Sequence, residues 1–187
     1  MDSLLGLLGL EAYTPSHALN TLAGADSRYL VELRRNVESV LHGGVLSKQD
    51  AAMIALVVAS NERHAELVRA FENSAALAGA TIAEIAECHA CASLMSVNNV
   101  FYRFKHYMRE SGRYATGRLG MRAGQVLQPV SGHKLFELMG LAASVVNGCE
   151  DCVVAHEHSA TEHGATVAEI LDTVRLAAVI KGLCVVI

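Results

Sequence analysis

Two cysteines, a histidine that follows them and a glutamate upstream carry the chemistry this sequence can do. Cys149-Glu150-Asp151-Cys152 is followed by His156 and preceded by Glu137, in the pattern Glu-x11-Cys-x2-Cys-x3-His. Asn147 or Gly148 can cap a helix whose first turn is Cys149 to Cys152, and a helix N-terminus favours thiolate through its unpaired amides and its dipole. That spacing permits a disulfide. His156 comes four residues after Cys152 and seven after Cys149, so the three side chains share one helix face and the imidazole can serve the thiols. Glu137 sits among Leu135, Phe136, Leu138, Met139 and Leu141, on the core side of a preceding helix. A buried carboxylate needs a partner, and His156 is the natural one. A Glu137/His156 pair beside two cysteines makes a proton relay, drawing a proton from an attacking thiol and delivering it to a leaving oxygen. His158 reads as a surface residue on another face of the same helix.

The elements that must position these groups are helices. Segments 28–42, 47–60, 62–78, 81–98, 131–146, 148–163 and 166–181 repeat apolar residues at three- and four-residue steps, without strand-like alternation, so the expected class is all-α. The clearest punctuation is Gly79-Ala80-Thr81-Ile82-Ala83-Glu84-Ile85, which returns as Gly164-Ala165-Thr166-Val167-Ala168-Glu169-Ile170, six of seven positions identical at an offset of 85. In each copy the glycine suits the left-handed residue after a helix, and Thr-x-x-Glu is a capping box that starts the next one. Carried along the chain, the offset gives an internal duplication within a single domain, 1–187. Repeat one spans about 46–108, a connecting loop about 109–130 and repeat two about 131–187. Ala52, His64, Leu67 and Phe71 then stand where Glu137, Cys149, Cys152 and His156 stand in repeat two, so one active site per chain is expected. The loop carries Arg109, Arg113, Arg118 and Arg122 and reads as solvated rather than as an anion site.

Composition narrows the partners. A hydrophobic share of 52% with 18% charged residues excludes a disordered chain. The balance of 15 Lys+Arg against 19 Asp+Glu, net −4, leaves no basic field for nucleic acid. No uncharged apolar run reaches the roughly 18 residues of a membrane span, and Met1–Leu10 carries Asp2 where a secretory signal needs a cation. The chain is therefore expected in the cytoplasm. Its surplus of apolar area, the tail Gly182–Ile187 included, suggests a homo-oligomer with helix 166–181 and the tail in the subunit contacts.

Five cysteines in a reducing compartment point to metal binding or redox chemistry rather than a disulfide scaffold. Cys88-His89-Ala90-Cys91 is a second Cys-x-x-Cys, but it falls inside a helix begun by Thr81 and reads as two small core thiols. A structural zinc site from Cys88, Cys91, Cys149 and Cys152 would have to close the 57 residues from 92 to 148, far more than the usual roughly 15–20. A mixed zinc or iron site at Cys149, Cys152, His156 and Glu137 is the other metal reading.

Glu137, Cys149, Cys152 and His156 at these spacings resemble the active-site signature of the AhpD-like alkylhydroperoxidases, within the carboxymuconolactone decarboxylase-like superfamily. Asn98-Asn99-Val100-Phe101-Tyr102-Arg103, Phe136-Glu137-Leu138 through Asn147-Gly148-Cys149, and Ala155-His156-Glu157-His158 extend the resemblance over most of residues 46–181. It implies a duplicated helical fold that assembles as a trimer or hexamer. It also implies a thiol peroxidase that reduces hydroperoxides, or passes electrons from a lipoylated protein to a peroxiredoxin, through a reversible Cys149–Cys152 disulfide, with no metal, flavin or other cofactor. By the same resemblance Cys152 attacks peroxide and Cys149 resolves the sulfenic acid; the residues alone leave that order open. Asp151 departs from a common pattern in which relatives carry histidine. With Glu150 it places two carboxylates beside the thiols, each opposing thiolate while suiting the helix dipole. A lactone-acid decarboxylase of the wider superfamily suits the fold but has no use for paired cysteines.

Overall fold

The computed structural model describes residues 2–120 and 128–187. Among these the chain forms α1 (Asp2–Leu7), α2 (His17–Gly24), α3 (Arg28–His42), α4 (Lys48–Asn61), α5 (Ala65–Leu77), α6 (Ile82–Tyr107), α7 (His133–Asn147), α8 (Glu150–Glu162) and α9 (Val167–Val186), with a 3-10 turn at Arg109–Ser111 and no strand. Two helices are apolar nearly all round in their middle turns, and a helix of that kind has to lie at the centre. Every residue from Ala51 to Ala59 of α4 is buried, as is every residue from Leu135 to Ser144 of α7. α4 packs against α5, α6, α7 and α9, and α7 packs against α4, α6, α8 and α9. The other helices thus form a shell around the α4/α7 pair.

Both glycine joints form as their sequences require. Gly79 has φ 105° and Gly164 φ 88°, backbone that glycine alone adopts without strain. Thr81 with Glu84, and Thr166 with Glu169, each close a reciprocal capping box, a feature that contributes about 1 kcal/mol. The Glu169 carboxyl is held down at about 2, first by its bond to Lys134 and then by the Thr166 amide. α4, α5 and α6 begin at residues 48, 65 and 82, and α7, α8 and α9 at 133, 150 and 167, an offset of 85 in each case.

Two helices run well beyond the segments read from sequence, and two more precede them. α6 does not stop at Asn98 but runs to Tyr107, because the Asn99 side chain is turned inward, where it donates to Ser144 Oγ at 3.1 Å and accepts from Asn147 Nδ2 at 2.8 Å. α9 continues through Gly182 to Val186. The tail expected to seek a partner subunit is covered by its own chain: Leu183, Val186 and Ile187 are buried, and Ser16 Oγ donates to the Val186 carbonyl at 2.5 Å. Only Val185 of the tail stands out in solvent. The N-terminal segment, unassigned from sequence, forms α1 and α2 and buries Leu4, Leu5, Leu8, Leu10 and Leu19. No helix among the described residues is long and apolar enough to cross a membrane.

In the connecting segment Arg109, Arg113 and Arg118 are exposed, as a solvated loop requires; Arg122 lies outside the described residues. The end of this segment is fastened by a residue that sequence patterning passes over. Glu87 on α6 is fully buried and accepts from Val130 N at 2.7 Å, Ser131 N at 2.9 Å and Ser131 Oγ at 2.5 Å. It holds the chain where it enters α7. Glu87→Ala leaves two backbone donors without their acceptor and should lower stability by roughly 2–4 kcal/mol in a urea titration, with the denaturant slope unchanged.

Candidate functional site

The turn between α7 and α8 sets the cysteines. Gly148 ends α7 in the left-handed conformation, φ 65°, donating to the carbonyls of Ser144 and Val145. Cys149, not Asn147 or Gly148, is the N-cap of α8, with φ −95° and no side-chain cap bond. Gly148 is consumed in closing α7, so Cys149 is the first extended residue before α8, and its sulfur turns to Cys152. The two are joined in a disulfide, Cα–Cα 5.3 Å. Both sulfurs thus sit where the amides of a 13-residue helix point outward.

A polar network fixes this turn from behind. Asn61, the last residue of α4, and Asn147, the last of α7, exchange side-chain amide bonds in both directions at 3.0 Å. Arg103 Nη1 on α6 donates to the Asn147 carbonyl at 2.7 Å. Three helices therefore converge on the residue two positions before Cys149.

Glu137 is buried on α7, and its Oε2 lies 2.6 Å from His156 Nδ1, so a single proton bridges them. The other ring nitrogen, Nε2, lies 3.1 Å from Met95 Sδ. Both nitrogens are thereby occupied while the disulfide is closed, and no hydrogen bond among the described residues joins His156 to either sulfur. Imidazole and disulfide meet instead across a cavity of about 490 Å³, lined by Asn98, Tyr102, Lys105, Asp151, Cys152, Ala155 and His156. Cys152, 6% exposed, belongs to that lining, whereas Cys149, at 1%, does not.

Among curated proteins, the alkyl hydroperoxide reductase AhpD of Anaeromyxobacter sp. (strain Fw109-5) is 36% identical over 154 residues, covering 82% of this chain and 82% of its own. The AhpD of Nocardia farcinica is 33% identical, covering 88% and 90%. The chain belongs to the AhpD-like alkylhydroperoxidase family. It is an enzyme of oxidoreductase type. The model of the carboxymuconolactone decarboxylase family matches residues 114–186. A solved structure named as a gamma-carboxymuconolactone decarboxylase subunit, from Burkholderia xenovorans LB400, superposes with a TM-score of 0.67 at 18% identity, covering 95% of this chain and 88% of that one. It shares the fold.

Within this AhpD-like chain the structure brings together all four residues singled out by spacing. His158 is exposed and faces Glu162 at 3.4 Å. In the first half His64 takes the N-cap place that Cys149 has in the second, its Nδ1 accepting from Leu67 N at 3.3 Å, while Ala52 and Phe71 are buried in the core. Cys88 and Cys91 are core thiols. Cys88 packs on Met139 Sδ at 3.7 Å, burial pushes its thiol up to about 12, and burial likewise raises Cys91. With Cys149 and Cys152 joined in the disulfide, no three His, Cys, Asp or Glu side chains among the described residues gather as a metal-holding group.

Other contributors come from α6 and carry no local signal. Met95 is one. His106 is another: its Nδ1 lies 3.1 Å from Asp151 Oδ1 and its Nε2 lies 3.5 Å from Glu150 Oε2, with Arg109 Nη1 within 3.5 Å of both ring nitrogens. The two acids beside the thiols are thus met by the His106 ring, which the Arg109 guanidinium contacts in turn. Only the distance between residues 106 and 151 hides this pairing from the sequence.

Proposed function

We propose that this enzyme reduces organic hydroperoxides through a Cys149/Cys152 dithiol–disulfide cycle, with Glu137 and His156 as its proton relay. The observation that carries the reading is the placement of the cysteine pair at the N-terminus of α8, with Cys152 sharing one cavity wall with the imidazole of a buried Glu137–His156 pair. Cys152 thiolate attacks the terminal oxygen of ROOH, the O–O bond breaks, and the alkoxide leaves as ROH with a proton from the relay. Cys152 is then a sulfenic acid. Cys149 attacks its sulfur, water departs, and the disulfide closes. A dithiol donor returns two electrons and two protons, and a lipoylated protein is the expected source. A peroxiredoxin is the expected recipient where the pair relays electrons rather than meeting peroxide itself.

Thiol counting tests the cycle. One equivalent of cumene hydroperoxide should remove two of the five thiols of the reduced chain and no more, and metal analysis on the same sample should find no stoichiometric metal. A thiol count that stays at five, or zinc retained one per chain, would end the reading. Equilibration against dithiothreitol or glutathione buffers should place the pair at about −180 to −300 mV.

His106 faces both acids beside the thiols. His106→Lys sets a permanently charged group there and should move the alkylation midpoint of the reactive thiol to lower pH, an effect that salt weakens. Titration with iodoacetamide from pH 5 to 10 reads the shift.

A further inference from the structure

Gly140 stands in the middle of the buried run of α7, a place where alanine is the better helix former. Its backbone is helical and needs no left-handed freedom, so local conformation does not account for it. Space does. A Cβ built on Gly140 would lie 2.7 Å from His156 Cε1, 2.8 Å from Nδ1 and 3.1 Å from Nε2. The three nearest atoms all belong to that one ring, and no backbone of a neighbouring helix is among them. The imidazole therefore lies flat on α7 at the position where a side chain is missing.

The ring has little room to yield. Glu137 is three residues before Gly140, on the same helix face, and binds Nδ1 at 2.6 Å. Met95, buried on α6, closes the opposite edge at Nε2, 3.1 Å away. A methyl group at 140 has to lift the ring, and lifting it breaks contacts at both edges. We propose that Gly140 is a positioning residue for His156: the absent side chain is a seat that holds the imidazole between Glu137 and Met95.

The proposal separates into a stability arm, which is independent of what the enzyme reduces, and an activity arm, which rests on the relay reading above. Gly140→Ala is made in the wild-type chain and in His156→Ala, and thermal midpoints are compared. In the wild type the methyl displaces the ring and the midpoint should fall. In His156→Ala the ring is gone, the space is free, and the same substitution should raise the midpoint. A shift of the same sign and size in both backgrounds overturns the seat. If Gly140→Ala alone yields no folded protein, the double variant must fold and melt above His156→Ala; a double variant that also fails to fold overturns it equally.

In the activity arm, Gly140→Ala should lower turnover of cumene hydroperoxide by about 10²-fold, the scale expected when a reacting group is misplaced by about an ångström. It should also shift the pH profile of thiol alkylation towards that of His156→Ala, which a packing defect elsewhere would not do. A sign reversal in stability with no peroxide turnover in the wild type would keep the seat and discard the peroxidase. An unreversed stability shift with normal wild-type turnover would do the opposite.

Discussion

Reduced Cys152→Ser should consume no hydroperoxide, with turnover at least about 10³-fold below wild type. Reduced Cys149→Ser should consume one equivalent per chain and then stop. The asymmetry follows from where the two sulfurs lie. Both share the N-terminus of α8, so its dipole does not choose between them. The cavity does: Cys152 forms part of its wall and Cys149 lies behind the wall, 1% exposed. A hydroperoxide entering that space meets Cys152 first, and a serine hydroxyl there is no substitute for a thiolate. Without Cys149 the sulfenic acid forms but has no internal thiol to release it as water and disulfide. Mass spectrometry separates these cases, because Cys149→Ser should gain a single oxygen on Cys152. The reverse pattern would exchange the two roles.

Glu137→Gln should lower peroxide turnover by roughly 10²–10⁴-fold, the usual contribution of general acid–base catalysis. The glutamine has the same size and still accepts a bond from His156, so the fold and the ring position should survive, and the melting temperature reports whether they do. What is lost is a group that exchanges a proton with the imidazole. His156→Phe should act similarly. Residues 2.6 Å apart that work as a unit give non-additive losses, so the double variant should fall little below either single one. In the wild type the reactive thiol should alkylate with a midpoint below the free value of about 8.5, and Glu137→Gln should shift that midpoint. If turnover, alkylation profile and melting temperature all stayed unchanged, the carboxylate would be only a buried residue with a partner.

What the sequence revealed is what local rules govern. The Thr81 and Thr166 boxes, the glycines before them and the three- and four-residue steps of apolar residues define the helices without reference to the rest of the chain. Glu137 and His156 could be paired because each lies on the core side of its own helix and one tight turn joins the two. The contributors that escaped notice act across long separations. Met95, Asn61, Arg103 and His106 reach the site from α4 and α6, and their meaning depends on which helix packs against which. The end of the helix read as 81–98 was misplaced for the same reason. Two adjacent amides weaken a helix locally, but here one of them bonds inside the core and tertiary structure overrides the local preference. The tail obeys the same logic: a run of apolar residues calls for cover without saying which surface provides it, and its own chain covers Leu183, Val186 and Ile187.

The raised thiols of Cys88 and Cys184, both pushed to about 12 by burial, have a consequence for chemical selectivity. At neutral pH such a group is almost wholly in its thiol form, and peroxides react with the thiolate. Burial raises Cys91 as well. A chain with five cysteines should thereby present two to an oxidant: in the proposed cycle each hydroperoxide draws its electrons from the pair at α8, while Cys88, Cys91 and Cys184 stay reduced. The low dielectric of the interior acts as a protecting group, installed by folding and removed only by unfolding. In denaturant all five thiols should become equivalent towards peroxide, and the clean two-thiol stoichiometry should dissolve into mixed disulfides and overoxidised products.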